Sequence, residues 1–289
     1  MPPYVIITPV RDEALYIQKT IASVLAQTIL PAQWVIVDDG STDGTGEILG
    51  RYAAQHAWIK DIHRANRGHR ASGGGVIEAF YDGYAALGDT GWEFIVKLDG
   101  DLSFPPDYFE RCLARFAAEP RLGIGGGMVC FDDQGQLREE SVGDPPFHVR
   151  GATKIYRHAC WDKISPLVKA PGWDTIDEVK ANMHGWTTRT FRDLKIVQHK
   201  ATGTVDGSWR NWFKNGRANY ITGYHPLFML GKCAKRALRK PLFLEAIALW
   251  AGFCSGYVKR IPQADDSDVI RYLRQQQLRR LLLRSSLYG

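Results

Sequence analysis

Two carboxylates two residues apart, in Asp99-Gly100-Asp101, follow an apolar run, Phe94-Ile95-Val96-Lys97-Leu98. Acids at that spacing suit a hard divalent cation such as Mg2+ or Mn2+, which takes oxygen ligands and often completes its shell with phosphate oxygens. A cation there would neutralise a diphosphate leaving group, which is Lewis-acid work. Gly100 is expected to let the backbone turn so that both acids face one centre. The same pattern also describes an ordinary capped turn, so its surroundings must decide. A second acidic loop, Asp38-Asp39-Gly40-Ser41-Thr42-Asp43, follows another apolar run, Trp34-Val35-Ile36-Val37. Asp43 is placed to cap the next helix, leaving Asp38 or Asp39 to accept hydrogen bonds from a base or ribose.

Both loops need elements that carry them to one place. Residues 4–9 and 34–37 read as short buried strands, and residues 59–63 and 94–98 as two more. Between and after them, helical spacing is expected over residues 13–26, 44–56, 75–87 and 107–118. Strands at 122–131, 149–156 and 188–198 and a helix at 175–185 follow, with 132–146 a polar excursion or lid. This alternation predicts an α/β fold with a doubly wound, mainly parallel sheet and helices on both faces. Ligands of such sheets sit at the carboxyl ends of strands, where both acidic loops fall.

Beyond Asp206 the character changes, which divides the chain into an expected domain 1–205 and a helical region 206–289. That second region holds fifteen Lys or Arg against five Asp or Glu, a net of +10, whereas the whole chain carries +6. The first 205 residues are therefore near −4, and a basic tail on such a body points to an anionic surface, either a membrane or a polyanion. Residues 208–220 interleave Trp, Phe and Tyr with cations, a mixture suited to a diphosphate or a headgroup layer. Residues 242–258 are apolar apart from Glu245 and a few small polar residues, at the short limit for a membrane span. They are expected to form an interfacial or re-entrant helix. Residues 271–284 read as a basic helix. The five cysteines are dispersed without a C-x-x-C, which argues against a disulfide framework or structural zinc and for a reducing compartment. No signal peptide is read at the N-terminus. Ser72-Gly73-Gly74-Gly75 and Gly123-Ile124-Gly125-Gly126-Gly127 do not make a G-x-G-x-x-G, and no P-loop motif occurs, so dehydrogenase and P-loop chemistry are disfavoured. The glycines at 73–75 are expected instead to admit a sugar or diphosphate close to a helix start.

Four ordered segments resemble the inverting glycosyltransferases of family 2, which have the GT-A fold. They are Val5-Ile6-Ile7-Thr8-Pro9-Val10-Arg11-Asp12-Glu13, Ile21-Ala22-Ser23-Val24-Leu25-Ala26-Gln27-Thr28, Val37-Asp38-Asp39-Gly40-Ser41-Thr42-Asp43-Gly44-Thr45 and Lys97-Leu98-Asp99-Gly100-Asp101. The resemblance spans about the first 205 residues. It implies that Thr8, Pro9, Arg11 and Glu13 line a nucleotide pocket, that Asp39 with Asp38 contacts the base, and that Arg70 or Arg67 meets base or phosphate. Asp99 would reach the ribose or the metal, and Asp101 would ligate the metal. His199 would be a metal or phosphate ligand or a plain surface histidine, with Lys200 near the phosphates.

The family's general base usually lies in a Glu-Asp pair at the start of a helix. Here the corresponding stretch is Gly172-Trp173-Asp174-Thr175-Ile176-Asp177-Glu178-Val179-Lys180, with Trp173 where the Glu is expected. Counting back from Gly185 aligns Asp174 with the base, and Asp177 competes with it. Asp174 is equally a good N-cap, with Asp177 three residues on as in a capping box. The expected activity is inverting transfer from a nucleotide-diphosphate-sugar, preferably a UDP-sugar, to a glycan or polyprenyl-linked acceptor in extracellular polysaccharide or cell-envelope glycan synthesis. It would be metal-dependent and take place at the cytoplasmic face of the plasma membrane, with no nucleic-acid partner. Two alternatives remain. A sugar-phosphate nucleotidyltransferase usually carries a glycine-rich loop after its first strand, which Thr8-Pro9-Val10-Arg11-Asp12 lacks. A non-catalytic membrane-bound adaptor would be consistent with the missing Glu.

Overall fold

Along β1 (Tyr4–Val10) successive side chains enter opposite faces of a sheet: Tyr4 and Ile6 join one core, Val5 and Ile7 another. A strand buried on both faces must be apolar throughout, so it shows no polar alternation. A computed structural model of the chain describes residues 2–68, 73–140, 143–200, 207–238 and 243–289. After β1 come α1 (Ile17–Leu25), β2 (Gln33–Asp38), α2 (Thr45–Gln55), β3 (Ile59–His63), α3 (Gly74–Ala85) and β4 (Phe94–Leu98). There follow β5 (Leu102–Ser103), α4 (Tyr108–Ala118), β6 (Leu122–Asp133), β7 (Gln136–Glu139), β8 (Thr153–Arg157), α5 (His158–Ile164), α6 (Trp173–Met183) and β9 (Thr187–Gln198). The last four elements are α7 (Gly207–Ile221), α8 (Pro226–Ala237), α9 (Leu244–Val258) and α10 (Ser267–Leu281).

The strand order is β3-β2-β1-β4-β8-β6-β9-β5, with β7 hydrogen-bonded to β6. Strands β3, β2, β1 and β4 run parallel, and β6 runs parallel to β9. β8 is inserted antiparallel between β4 and β6, so the sheet is mixed around a parallel, doubly wound half. α1, α2 and α4 cover one face through Ile21, Leu49 and Phe116; α3, α5 and α6 cover the other through Phe80, Trp161 and Trp173. The polar excursion after β6 folds back as β7, a hairpin on an extended strand.

Helices α7 to α10 share a third core with α6 and the loop before β8, built on Ile176, Val179, Phe147, Leu249 and Phe253. The backbones of α7 and α9 touch: a Cβ added to Gly216 would collide with the Leu249 carbonyl, and one added to Gly252 with the Phe213 carbonyl. α9 therefore spends one side on α7, burying Leu249 and Phe253, rather than lying free. Among the described residues no helix is long and apolar enough to cross a membrane. The expected boundary at 205/206 falls within residues 201–206, outside those described.

Candidate active site

The parallel strands β1, β2 and β4 deliver their carboxyl ends side by side, with Val10 in register with Asp38. Gly100 permits a close approach rather than a special turn. A Cβ there would lie 2.5 Å from Val10 Cγ1, so any other residue would push the acidic loop off β1. Of the glycines at 73–75, two are packed closely: a Cβ on Gly73 would lie 2.8 Å from Pro171 and one on Gly74 2.8 Å from the Lys169 carbonyl.

Asp38 and Asp39 divide the work of their loop. The Asp38 carboxylate accepts from the Ser41 N–H at 2.8 Å and lies 3.3 Å from His63 Nδ1, so it is engaged in its own turn. The Asp39 carboxylate instead meets two guanidinium groups, Arg64 at 2.6 Å and Arg67. Arg11 donates to the Asp39 carbonyl at 2.7 Å and to Asn66 Oδ1 at 2.9 Å, closing the same corner. Asp43 does not cap its helix by side chain in the usual way; Gly44 is the N-cap, and Asp43 accepts from the N–H groups of Thr45 and Ala14, each at 3.0 Å. Thr8 is buried, its hydroxyl accepting the Trp34 indole N–H at 2.9 Å. Pro9 is half-buried on β1, in register with Val37. Arg70 lies outside the described residues.

At the end of β4, Asp99 is paired with Lys97, whose ammonium also donates to the Gly151 carbonyl at 2.6 Å. Asp101 is only 5% exposed. Its carboxylate accepts from Gln198 Nε2 at 3.1 Å and its carbonyl accepts from the His199 N–H at 2.9 Å. Burial pushes the Asp101 carboxyl up to about 7, aided by the like charges of Asp99 and Glu13 and opposed by Gln198 and Lys97. Glu13 is buried beside it and pairs with Lys200 at 2.7 Å, which brings the distant end of β9 to the first loop. The His199 ring faces Ser103 Oγ at 2.9 Å and Lys19 Nζ at 3.4 Å. Burial, and then Lys19, lower its pKa, so the imidazole stays neutral. Among the described residues no three His, Cys, Asp or Glu side chains converge tightly enough to ligate a metal alone. Two carboxylates that repel each other, one buried and held partly protonated, nonetheless fit a divalent cation whose remaining ligands come from phosphate and water.

The second acidic group belongs to α6. Asp174 sits in its first turn, but the N-cap is Gly172 and no side chain caps the helix, so Asp174 is not the cap its position suggested. Burial pushes the Asp174 carboxyl up, yet His148, Lys154 and Arg150 together outweigh it and hold it below the ordinary value. Gly151 packs on the Asp174 side chain and also holds Lys97, which joins this carboxylate to the Asp99 corner. Trp173 lies over both lysines, 5.6 Å from Lys97 Nζ and 5.4 Å from Lys154 Nζ.

Asp177, by contrast, is locked away. Its carboxylate accepts from Lys154 Nζ at 2.8 Å and from Tyr156 Oη at 2.6 Å. Lys154 also reaches Glu178 Oε1 at 2.8 Å, and Glu178 is completed by His148 Nδ1 at 2.9 Å and the Val149 N–H at 2.7 Å. Burial alone would discharge Lys154, but Asp177 and Glu178 overcome it and raise its pKa. Lys97, Lys154, His148 and Arg64 were not foreseen as site residues. For Lys97 the signal was present: it stands within the otherwise apolar strand Phe94–Leu98, where a lysine must find a carboxylate.

A mixed sheet, acidic loops at its parallel strand ends and a carboxylate at the start of α6 define a GT-A-type fold. The likeness to solved structures agrees. The mannosyltransferase PcManGT from Pyrobaculum calidifontis, in complex with GDP-Man and Mn2+, matches with a TM-score of 0.55 at 18% identity, covering 99% of this chain and 76% of that one. TarS 1-349 from S. aureus, in complex with UDP, matches with a TM-score of 0.53 at 16% identity, covering 89% and 72%. Residues 5–165 match the description Glycosyl transferase family 2, and the chain belongs to that family. The uncharacterized glycosyltransferase MG025 of Mycoplasma genitalium is 30% identical over 205 residues, 70% of this chain and 63% of that protein. The chain spans less than two thirds of the length of the relatives it matches.

Proposed function

We propose that this chain transfers a sugar, with inversion, from a nucleoside-diphosphate-sugar to a hydroxyl of a glycan or polyprenyl-linked acceptor. The observation that carries the reading is the under-neutralised carboxylate of Asp101, buried beside Asp99 and Glu13 at the ends of parallel strands. A divalent cation, held by Asp101 and Asp99 with His199 nearby, would supply charge neutralisation of the diphosphate. Arg11, Arg64 and Arg67 gather around Asp39 and orient the nucleoside; UDP remains the favoured carrier. Lys200, paired with Glu13, would contact a phosphate; the pairing, which ties it to the first loop, supports this.

Asp174 is the better base. Its carboxylate is kept ionised by three cations, whereas Asp177 has both oxygens occupied and is shut from solvent. In the transfer, Asp174 takes the acceptor proton, the acceptor oxygen forms a bond to the anomeric carbon, and the anomeric carbon–phosphate oxygen bond breaks. The electron pair leaves on the nucleoside diphosphate. The test is a thermal-shift series of nucleotide-sugars with and without Mn2+, on wild type and Asp101→Asn. Metal-enhanced stabilisation that disappears in Asp101→Asn is expected; equal stabilisation of both proteins, with or without metal, would overturn the assignment.

A further inference from the structure

α8 is amphipathic in an unusual sense, because its apolar residues occupy both sides. Met229 and Cys233 point into the core shared by the C-terminal helices. On the opposite side Leu227, Leu230 and Leu238 recur at helical spacing and are 58%, 55% and 80% exposed. The turn into α9 adds exposed Phe243, Leu244 and Ile247. Scattered exposed leucines need no explanation, but a continuous apolar face does.

The exposed charges on α8 and on the C-terminal end of α10 have one sign. Residues 226–238 contain no Asp or Glu, and neither do residues 269–289. Lys235 lies on α8, and α10 ends against it, with Leu281 beside Gly231. That end of α10 brings exposed Arg279, Arg280 and Arg284 to the rim. Glu245, the one acid at the turn, is buried and paired with Arg236.

We propose that the outer face of α8, with the exposed residues at the start of α9, docks on the anionic surface of a lipid bilayer. A bilayer takes apolar side chains into the headgroup boundary while cations meet lipid phosphates, and this face offers both. A soluble polyanion would satisfy the arginines and leave the leucines in water. A second copy of the chain would set cation against cation. Docking moves the expected contact from residues 242–258 as a whole to α8, since α9 is largely consumed by α7. It also deepens the sugar-transfer reading. Gly172, two residues before Asp174, packs on Thr222 and the Ala218 carbonyl, so the C-terminal helices that bear this face abut the start of α6.

The test is flotation of the full chain with phosphatidylcholine vesicles, with and without phosphatidylglycerol. The wild type is expected to float with the anionic vesicles and to bind about tenfold more weakly to neutral ones. Leu227→Ser/Leu230→Ser and, separately, Lys235→Glu/Arg279→Glu should each weaken binding by about tenfold or more, with an unchanged circular dichroism spectrum and melting temperature. Wild type that fails to float, or either variant floating like wild type, would overturn the proposal. So would a wild-type dimer in light scattering that the leucine variant converts to monomer, because the face would then belong to a second copy. Flotation needs no donor, so intact flotation without sugar transfer sinks the transfer reading and leaves docking standing.

Discussion

Two pairs of acids in this molecule meet opposite fates. Asp177 and Glu178 are fully buried, yet every oxygen is answered by the chain itself, through Lys154, Tyr156, His148 and a backbone N–H. Asp99 and Asp101 stand at a strand mouth with a single lysine and one glutamine amide between them. Burial of charge is tolerated where counter-charge is built in, and it becomes a demand for a ligand where it is not. The first pair therefore holds the fold and the second belongs to the proposed site, though all four are carboxylates.

The sharpest way to break this division is to exchange the consequences. Asp174→Asn should lower the transfer rate by about 10²–10⁴-fold without a change in melting temperature. Asp177→Asn should do the reverse, weakening the fold while sparing the rate of molecules that remain folded. If Asp177→Asn loses the rate and keeps the fold, the two aspartates have been assigned the wrong way round. Asp101→Asn is expected to cost about 10²–10³-fold in rate while melting no lower than wild type, since it removes like-charge repulsion. Next in size, Lys154→Met should destabilise the chain by about 3–5 kcal/mol in urea unfolding, by stranding Asp177 and Glu178. A loss under 1 kcal/mol would mean that the buried acids are protonated and need no partner.

Proton competition sharpens the same contrast. Asp101 holds its proton up to about 7, so Mn2+ affinity should weaken about tenfold per pH unit below that value and level off above it. Titration of Mn2+ binding by electron paramagnetic resonance at several pH values reads this directly, and a flat profile would remove Asp101 from the ligand set. The raised value has the matching effect on stability: the metal-free chain loses stability as pH rises from the ordinary carboxylate range to about 7, and Asp101→Asn reduces that slope to the part due to Asp177, which burial also pushes up to about 7. The smallest effect concerns the nucleoside corner. Arg67→Ala should weaken nucleotide binding by about tenfold, the worth of one charge-assisted hydrogen bond, in isothermal calorimetry.

Much of this was readable from local pattern. The apolar runs of β1, β2 and β4 mark strands buried on both faces, and the acids that follow them lie where parallel strands end. The neighbours of Asp174 and Asp177 were not readable, because Lys154, Tyr156 and His148 reach them across 20 to 30 residues of chain once β8 slots between β4 and β6. Sequence spacing suggested a cap for Asp174 because capping is local; the structure gives that place to Gly172 and turns the carboxylate outward to other partners. The role of α8 was hidden for a related reason. Its spacing marks an amphipathic helix, and only packing tells which apolar side is used.

Trp173 occupies the place of the expected acid and covers the ammonium groups of both Lys97 and Lys154. Its consequence is optical. One indole borders the pair that is satisfied and the pair that is not, so a cation that draws Asp99 away from Lys97 alters the field over that ring. Mn2+-free Mg2+ titration should then shift the tryptophan emission of the wild type, and Trp173→Phe should silence the shift although eight other tryptophans remain from the nine in the chain. Such a shift would make Trp173 a gauge of cation occupancy at the seam between scaffold and proposed site.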